Sequence, residues 1–162
     1  MVVAMTTRPS IVQYGLALAA VASTRSTCLR RSVGCVLLDQ FGRVLSIGYN
    51  GVPSGCPHCN EMTGELDGQP VYGNACPGAE SPSGTHLDDC YAIHAEQNAL
   101  LQCRDPDAVS LCCVTTSPCV SCVKLLLNLR WCVTIAFVDE YPQPKARELW
   151  KRADRMWIKV TP

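Results

Sequence analysis

A chain of 162 residues with 48% hydrophobic content has material for one globular core and too little for two. Fourteen Lys plus Arg balance fourteen Asp plus Glu, which argues against a stable nucleic-acid partner and favours a small molecule. No stretch is long and apolar enough to span a bilayer, and the opening segment lacks the unbroken apolar run of a secretory signal. The twelve cysteines are therefore expected in a reducing cytoplasm, where clustered thiols bind metal more often than they pair.

Ser10, following Pro9, reads as the N-cap of an alanine-rich helix over 10–23. Two β-rich runs, 33–38 and 43–47, are joined by Asp39-Gln40-Phe41-Gly42, whose acidic start and glycine end suit a hairpin turn. Residues 50–90 then form an irregular, cysteine-bearing insertion, rich in glycine and proline and without a hydrophobic period. So long a stretch within a compact domain needs something to hold it if it is ordered. Regular structure is expected to resume with a helix over 93–102, a strand over 110–116, a helix over 119–129 and a strand over 133–138. Two strands flanking a helix of that length close best as a right-handed parallel unit. A helix over 145–153 and a strand over 156–160 end the chain. Cys112, Cys113 and Cys132 lie in apolar strands and read as small buried side chains. The class is α/β, in a single domain over 1–162.

Chemistry concentrates in His94-Ala95-Glu96 and, 25 residues after His94, in Cys119 and Cys122 of Pro118-Cys119-Val120-Ser121-Cys122. This spacing is the general signature of zinc-dependent base deaminases. A catalytic zinc takes three protein ligands and leaves its fourth position to water. Cys119 and Cys122, at i and i+3 of one helical turn, reach the same ion, and a helix N-terminus favours their thiolate form. Glu96, two positions from His94 and so about 200° around a helix axis, need not bind metal. Its carboxylate is placed to take a proton from zinc-bound water, leaving hydroxide, to pass the proton to a ring nitrogen, and then to help protonate the departing amine. A closed structural zinc explains neither this glutamate nor the missing fourth ligand.

Gly48-Tyr49-Asn50-Gly51-Val52-Pro53-Ser54-Gly55, His94-Ala95-Glu96-Gln97-Asn98-Ala99 and Ser117-Pro118-Cys119-Val120-Ser121-Cys122 together resemble the deoxycytidylate deaminases, bacterial and phage type. The metal motif alone marks the wider cytidine deaminase superfamily; the GYNG segment and the long cysteine-bearing insertion narrow it. The resemblance implies a three-layer α/β/α fold around a central mixed sheet of about five strands. It also implies hydrolysis of dCMP to dUMP and ammonia, feeding dTMP synthesis, with activation by dCTP (accompanied by Mg2+), inhibition by dTTP, and a homohexamer. By the same likeness Asn50 hydrogen-bonds the deoxyribose, Ala95 offers backbone to the base, and Ser117 and Pro118 border the substrate. Tyr141 either walls the nucleotide or is a loop aromatic packed on the sheet. An effector phosphate is assigned to the turn of Gly51, Pro53, Ser54 and Gly55, with Asn98 nearby, because glycines let backbone amides approach closely.

Some relatives carry a second, structural zinc, and Cys28 and Cys59 match its pattern; His86 and Cys90, before the catalytic helix, complete the set implied. Cys56 and Cys76 also lie in the insertion, and the alternative is scattered free cysteine. Cations near the motifs, namely Arg30, Arg31, Arg104 and Lys124, show no phosphate-loop pattern. A zinc deaminase of cytidine, dCTP or guanine shares the same centre, and a non-catalytic zinc-binding regulatory protein is the remaining class.

Overall fold

The computed structural model describes residues 8–82, 84–130 and 133–161. Trp131 and Cys132 lie outside the described residues, and with them the reading of Cys132 as a strand cysteine. Helix α1 (Ile11–Ser23) begins where Ser10 predicts. The Ser10 hydroxyl accepts from the Gln13 amide at 3.2 Å, and the Gln13 side chain accepts from the Ser10 amide at 2.9 Å, satisfying two donors that a helix start leaves open.

Strands β1 (Gly34–Leu38) and β2 (Val44–Tyr49) form the expected hairpin. The Asp39 carboxylate accepts from the amides of Phe41 and Arg43, at 2.8 and 2.9 Å, and Gly42 takes a positive φ of 78°, a conformation glycine adopts without steric penalty. Strands β3 (Gly64–Leu66) and β4 (Gln69–Val71) form a small exposed hairpin of their own within the insertion. Its turn is Asp67-Gly68, both at positive φ. That pair is a known two-residue hairpin signal, present in the sequence but outweighed by its polar surroundings. Helix α2 (Ala95–Gln102), strand β5 (Leu111–Thr116), helix α3 (Val120–Leu127), strand β6 (Thr134–Asp139), helix α4 (Pro144–Arg152) and strand β7 (Trp157–Lys159) follow.

The main sheet has the order β2-β1-β5-β6-β7. β1 runs antiparallel to β2 and β5, while β5, β6 and β7 are mutually parallel, so the parallel unit around α3 forms as expected. Alternation along the strands sorts the side chains into two layers. Val36, Leu38, Cys113 and Ala136 meet Leu16 and Ala19 of α1. On the opposite face Cys35, Leu37, Cys112, Val114, Ile135 and Phe137 pack beneath Ala99, Val123, Leu126 and Trp150. The result is a mixed five-stranded sheet between helices, and the central β1 is buried along its whole length.

Gly48 sets the height of α2 above the sheet. A Cβ there would run into the backbone oxygen of Ala95 and the backbone nitrogen of Ala99, so only glycine lets the helix backbone rest directly on β2. At the far edge Trp150 is fully buried and donates its indole N–H to the Met156 carbonyl at 2.9 Å. Its truncation to alanine would cost about 3–5 kcal/mol by cavity formation.

Candidate active site

His94 and Cys119 are not helical residues, as the sequence pattern suggested; each is the N-cap of the helix that follows. His94 has φ −72° and ψ 156°, and Cys119 has φ −73° and ψ 172°, both extended. The helical-wheel angle between His94 and Glu96 therefore does not apply. Glu96 lies in the first turn of α2 and Cys122 in the first turn of α3. Two helix N-termini, with their open amides and positive dipole ends, thus converge on one point.

At that point the Cys119 and Cys122 sulfurs are 3.7 Å apart, and His94 Nδ1 is 3.3 Å from the first and 3.4 Å from the second. A tetrahedral zinc with Zn–S near 2.3 Å and Zn–N near 2.0 Å requires about 3.8 Å between sulfurs and about 3.5 Å between sulfur and nitrogen. The donors fit zinc in both type and spacing. Among the described residues they are the one group of three whose ligand atoms all lie within 4.8 Å of one another. Hydrogen bonding from Cys122, and then from His94, pulls the Cys119 thiol down to about 4, while Cys122 itself is raised by its bond to Cys119 and by burial. His94 is raised to about 9, first by its bond to Cys119. The three groups share protons that a metal ion would displace.

Glu96 is 3% exposed. Burial pushes its carboxyl up to about 7 against the opposing pull of backbone hydrogen bonding, a value suited to giving and taking protons near neutrality. With His94 and Cys119 it lines a cleft, along with Asn50, Ala95, Ser117 and Tyr141. Ala95 is fully buried, and Ser117 accepts from the Tyr141 amide at 2.8 Å. Pro118 is buried in the turn that presents Cys119. The Asn50 side chain bonds chiefly to protein. Its oxygen accepts from Ser26 Oγ at 2.7 Å and from the Val33 amide at 2.8 Å, while Nδ2 donates to the Arg31 carbonyl at 2.7 Å. One N–H remains for a ligand.

Residues of the expected effector turn have separate surroundings. The Gly51 amide donates to Ile93 in a two-residue bridge, so it is not available to a phosphate. Pro53 closes a turn by accepting from the Cys56 amide, Ser54 and Gly55 are exposed, and Asn98 donates to the Tyr49 carbonyl at 2.7 Å.

The second set, Cys28, Cys59, His86 and Cys90, is not gathered into one cluster: among the described residues no group of three ligand atoms other than that of His94, Cys119 and Cys122 lies within 4.8 Å. His86 is exposed, with φ 46°, and faces Asp89 at 3.4 Å; it is not brought to the thiols. Cys76, buried at 5% exposure, stands beside the buried Cys59 instead. Cys28 and Cys90 form a second hydrogen-bonded pair, which lowers Cys28 to about 6 and raises Cys90 to about 12. Cys59 also senses the charge of Cys90, and Cys28 that of Cys59. The Gly78 amide bonds the Asp89 carbonyl at 2.9 Å, which ties the chain around Cys76 to the chain before Cys90. The available signal for Cys76 was its place among the insertion's cysteines, outweighed by the placement of His86 four residues before Cys90.

Residues 9–138 match the model of the cytidine and deoxycytidylate deaminase zinc-binding region. The deoxycytidylate deaminase of Schizosaccharomyces pombe is 40% identical over 127 residues, covering 75% of this chain and 35% of that protein. That of Mycobacterium phage D29 is 38% identical over 120 residues, covering 74% and 88%. The chain thus spans about a third of the yeast relative and most of the phage one. The dCMP deaminase of cyanophage S-TIM5, solved in complex with dCMP and dUMP, superposes with a TM-score of 0.66 at 25% identity, over 95% of this chain and 99% of that one. With its ligand triad, its mixed sheet and this match over most of its length, the chain belongs to the zinc-binding cytidine and deoxycytidylate deaminase family.

Proposed function

We propose that the chain is a dCMP deaminase, releasing ammonia from dCMP to give dUMP. The observation that carries this is a buried carboxylate, Glu96, beside a three-donor zinc site inside a cleft. His94, Cys119 and Cys122 hold the metal; zinc, when bound, supplies the Lewis acidity that brings the pKa of water toward 7. Glu96 holds and moves the protons, first from water to ring N3 and then toward the leaving amine, in a pocket whose low polarity keeps both its protonation states accessible. The backbone at Ala95 and the wall of Ser117 orient the base, and Asn50 and Tyr141 border the sugar side. Replacing Glu96 by Gln keeps the shape and removes the base. Zinc content should be retained while ammonia release from dCMP falls by about 10³-fold or more. A variant that holds zinc and turns over at the parental rate would sink the mechanism.

A second zinc belongs on Cys28, Cys59 and Cys90, with Cys76 as fourth ligand in place of His86, because the four thiols form two interacting pairs in a segment with little core. Control by dCTP with Mg2+ and by dTTP, a homohexameric assembly and a reducing cytoplasmic setting complete the reading. The exposed Ser54 and Gly55 suit the first, the exposed Val44, Ile47 and Tyr49 of edge strand β2 suit the second, and a thiol-rich chain suits the third. Titrating dCTP and dTTP into the dCMP assay, and light scattering of the purified chain, test the regulation and the assembly.

A further inference from the structure

The loop between α1 and β1 is folded around Asn50. The Asn50 amide donates to the Val33 carbonyl at 3.1 Å, and the Asn50 carbonyl accepts from the Thr27 amide at 3.4 Å. Its side chain is buried against the same loop, where Nδ2 donates to the Arg31 carbonyl and Oδ1 accepts from Ser26 and from the Val33 amide. A peptide N–H can only donate and a peptide carbonyl can only accept, so Val33 and Arg31 fix which end of the carboxamide is oxygen. With Oδ1 occupied by two donors, the second N–H of Nδ2 is the group left for the cleft that Asn50 lines. Asn50 therefore offers that cleft a donor and no free acceptor.

Ser26 completes the arrangement. Its hydroxyl is buried, donates to Oδ1 at 2.7 Å and accepts from the Cys28 amide at 3.3 Å. Ser26 is not among the residues lining the cleft, so it meets a ligand only through Asn50. Val33 and Arg31 hold the carboxamide with backbone groups, which substitution leaves in place, whereas Ser26 holds it with a side chain. A group held in one orientation loses little freedom when a ligand arrives. A buried donor also penalises a ligand that brings no acceptor, because the N–H is then left unpaired. The sugar of a 2′-deoxynucleoside monophosphate has one free hydroxyl, at the 3′ carbon, since its 5′ oxygen is esterified.

We infer that Ser26 is a positioning residue of the cleft. It locks the Asn50 carboxamide as a donor to the 3′ oxygen of the sugar, so that the site selects nucleotides bearing that hydroxyl over their 3′-deoxy analogues. The inference rests on the dCMP reading for the identity of the ligand, while the orientation of Asn50 rests on the hydrogen bonds alone.

The test uses the full zinc-loaded chain with dCMP and 2′,3′-dideoxycytidine monophosphate. In the unsubstituted chain kcat/KM should favour dCMP by about tenfold or more, the worth of a hydrogen bond whose loss strands a buried donor. Ser26→Ala should cut that preference severalfold, by raising KM for dCMP while the dideoxy analogue changes little. Ser26→Thr, which keeps the hydroxyl, should recover most of it. Calorimetry of dUMP against 2′,3′-dideoxyuridine monophosphate reads the same preference without turnover. Equal losses for the two ligands in Ser26→Ala mark a merely structural serine and overturn the proposal, as does a chain without a 3′-hydroxyl preference or one whose preference Ser26→Ala leaves intact. If the unsubstituted chain deaminates neither nucleotide, it is the deaminase reading that fails, and the calorimetric preference alone decides Ser26.

Discussion

His94, Cys119 and Cys122 are positioned by helices seated on a sheet, whereas Cys28, Cys59, Cys76 and Cys90 are positioned by loops. In the first region α2 rests backbone-to-backbone on β2, α3 packs through Val123 and Leu126, and the ligands sit where two helices begin. In the second, residues 50–90 offer an exposed hairpin, a few turns and two buried cysteines. The first site rests on apolar burial that exists without metal; at the second, the proposed ion would supply cohesion that the loops lack, so that its binding would also be folding energy.

The largest effect expected is at the catalytic ligands. Cys119→Ser should abolish ammonia release and lower the bound zinc by one equivalent while circular dichroism stays native, because the core beneath is independent of the ion. Cys76→Ser should remove the other equivalent and open residues 50–90 to hydrogen exchange and proteolysis, with β1 and β5 still protected; loss of protection in the sheet as well would erase the contrast between the regions. Gly48→Ala should cost about 1–3 kcal/mol in denaturant unfolding, and also activity, since the added methyl lifts α2 and with it Glu96. Ser10→Ala, which removes a helix cap far from either site, should cost about 1 kcal/mol and leave activity intact. The smallest effect belongs to His86→Ala. An exposed histidine facing an exposed aspartate should matter by less than about 0.5 kcal/mol, with zinc content unchanged, and a lost zinc equivalent would restore His86 as a ligand.

Much of the fold was legible because local chemistry and tertiary need agree. Ser10 caps α1, Asp39 and Gly42 close the first hairpin, and the strand-helix-strand order around α3 admits a parallel closure. The β3–β4 hairpin escaped a reading based on hydrophobic period, since a fully exposed hairpin has none to show. Helix starts slipped by two residues at α2 and by one at α3, because periodicity does not distinguish a cap from the first helical turn.

For the metal ligands and the glutamate beside them, sequence sufficed: histidine, glutamate and a close cysteine pair carry their chemistry in their own side chains, and their short-range spacing marks them. His94, Glu96, Cys119 and Cys122 were read from the chain and are found together in the structure. What tertiary structure alone decided was partnership between distant segments. It set Cys76 rather than His86 beside Cys59, gave Asn50 to the loop that carries Arg31, and brought Arg30 and Arg31 to the cleft while leaving Arg104 and Lys124 outside. Those choices depend on how loops cross in space, where no periodic pattern constrains the chain and burial selects among residues of equal chemistry.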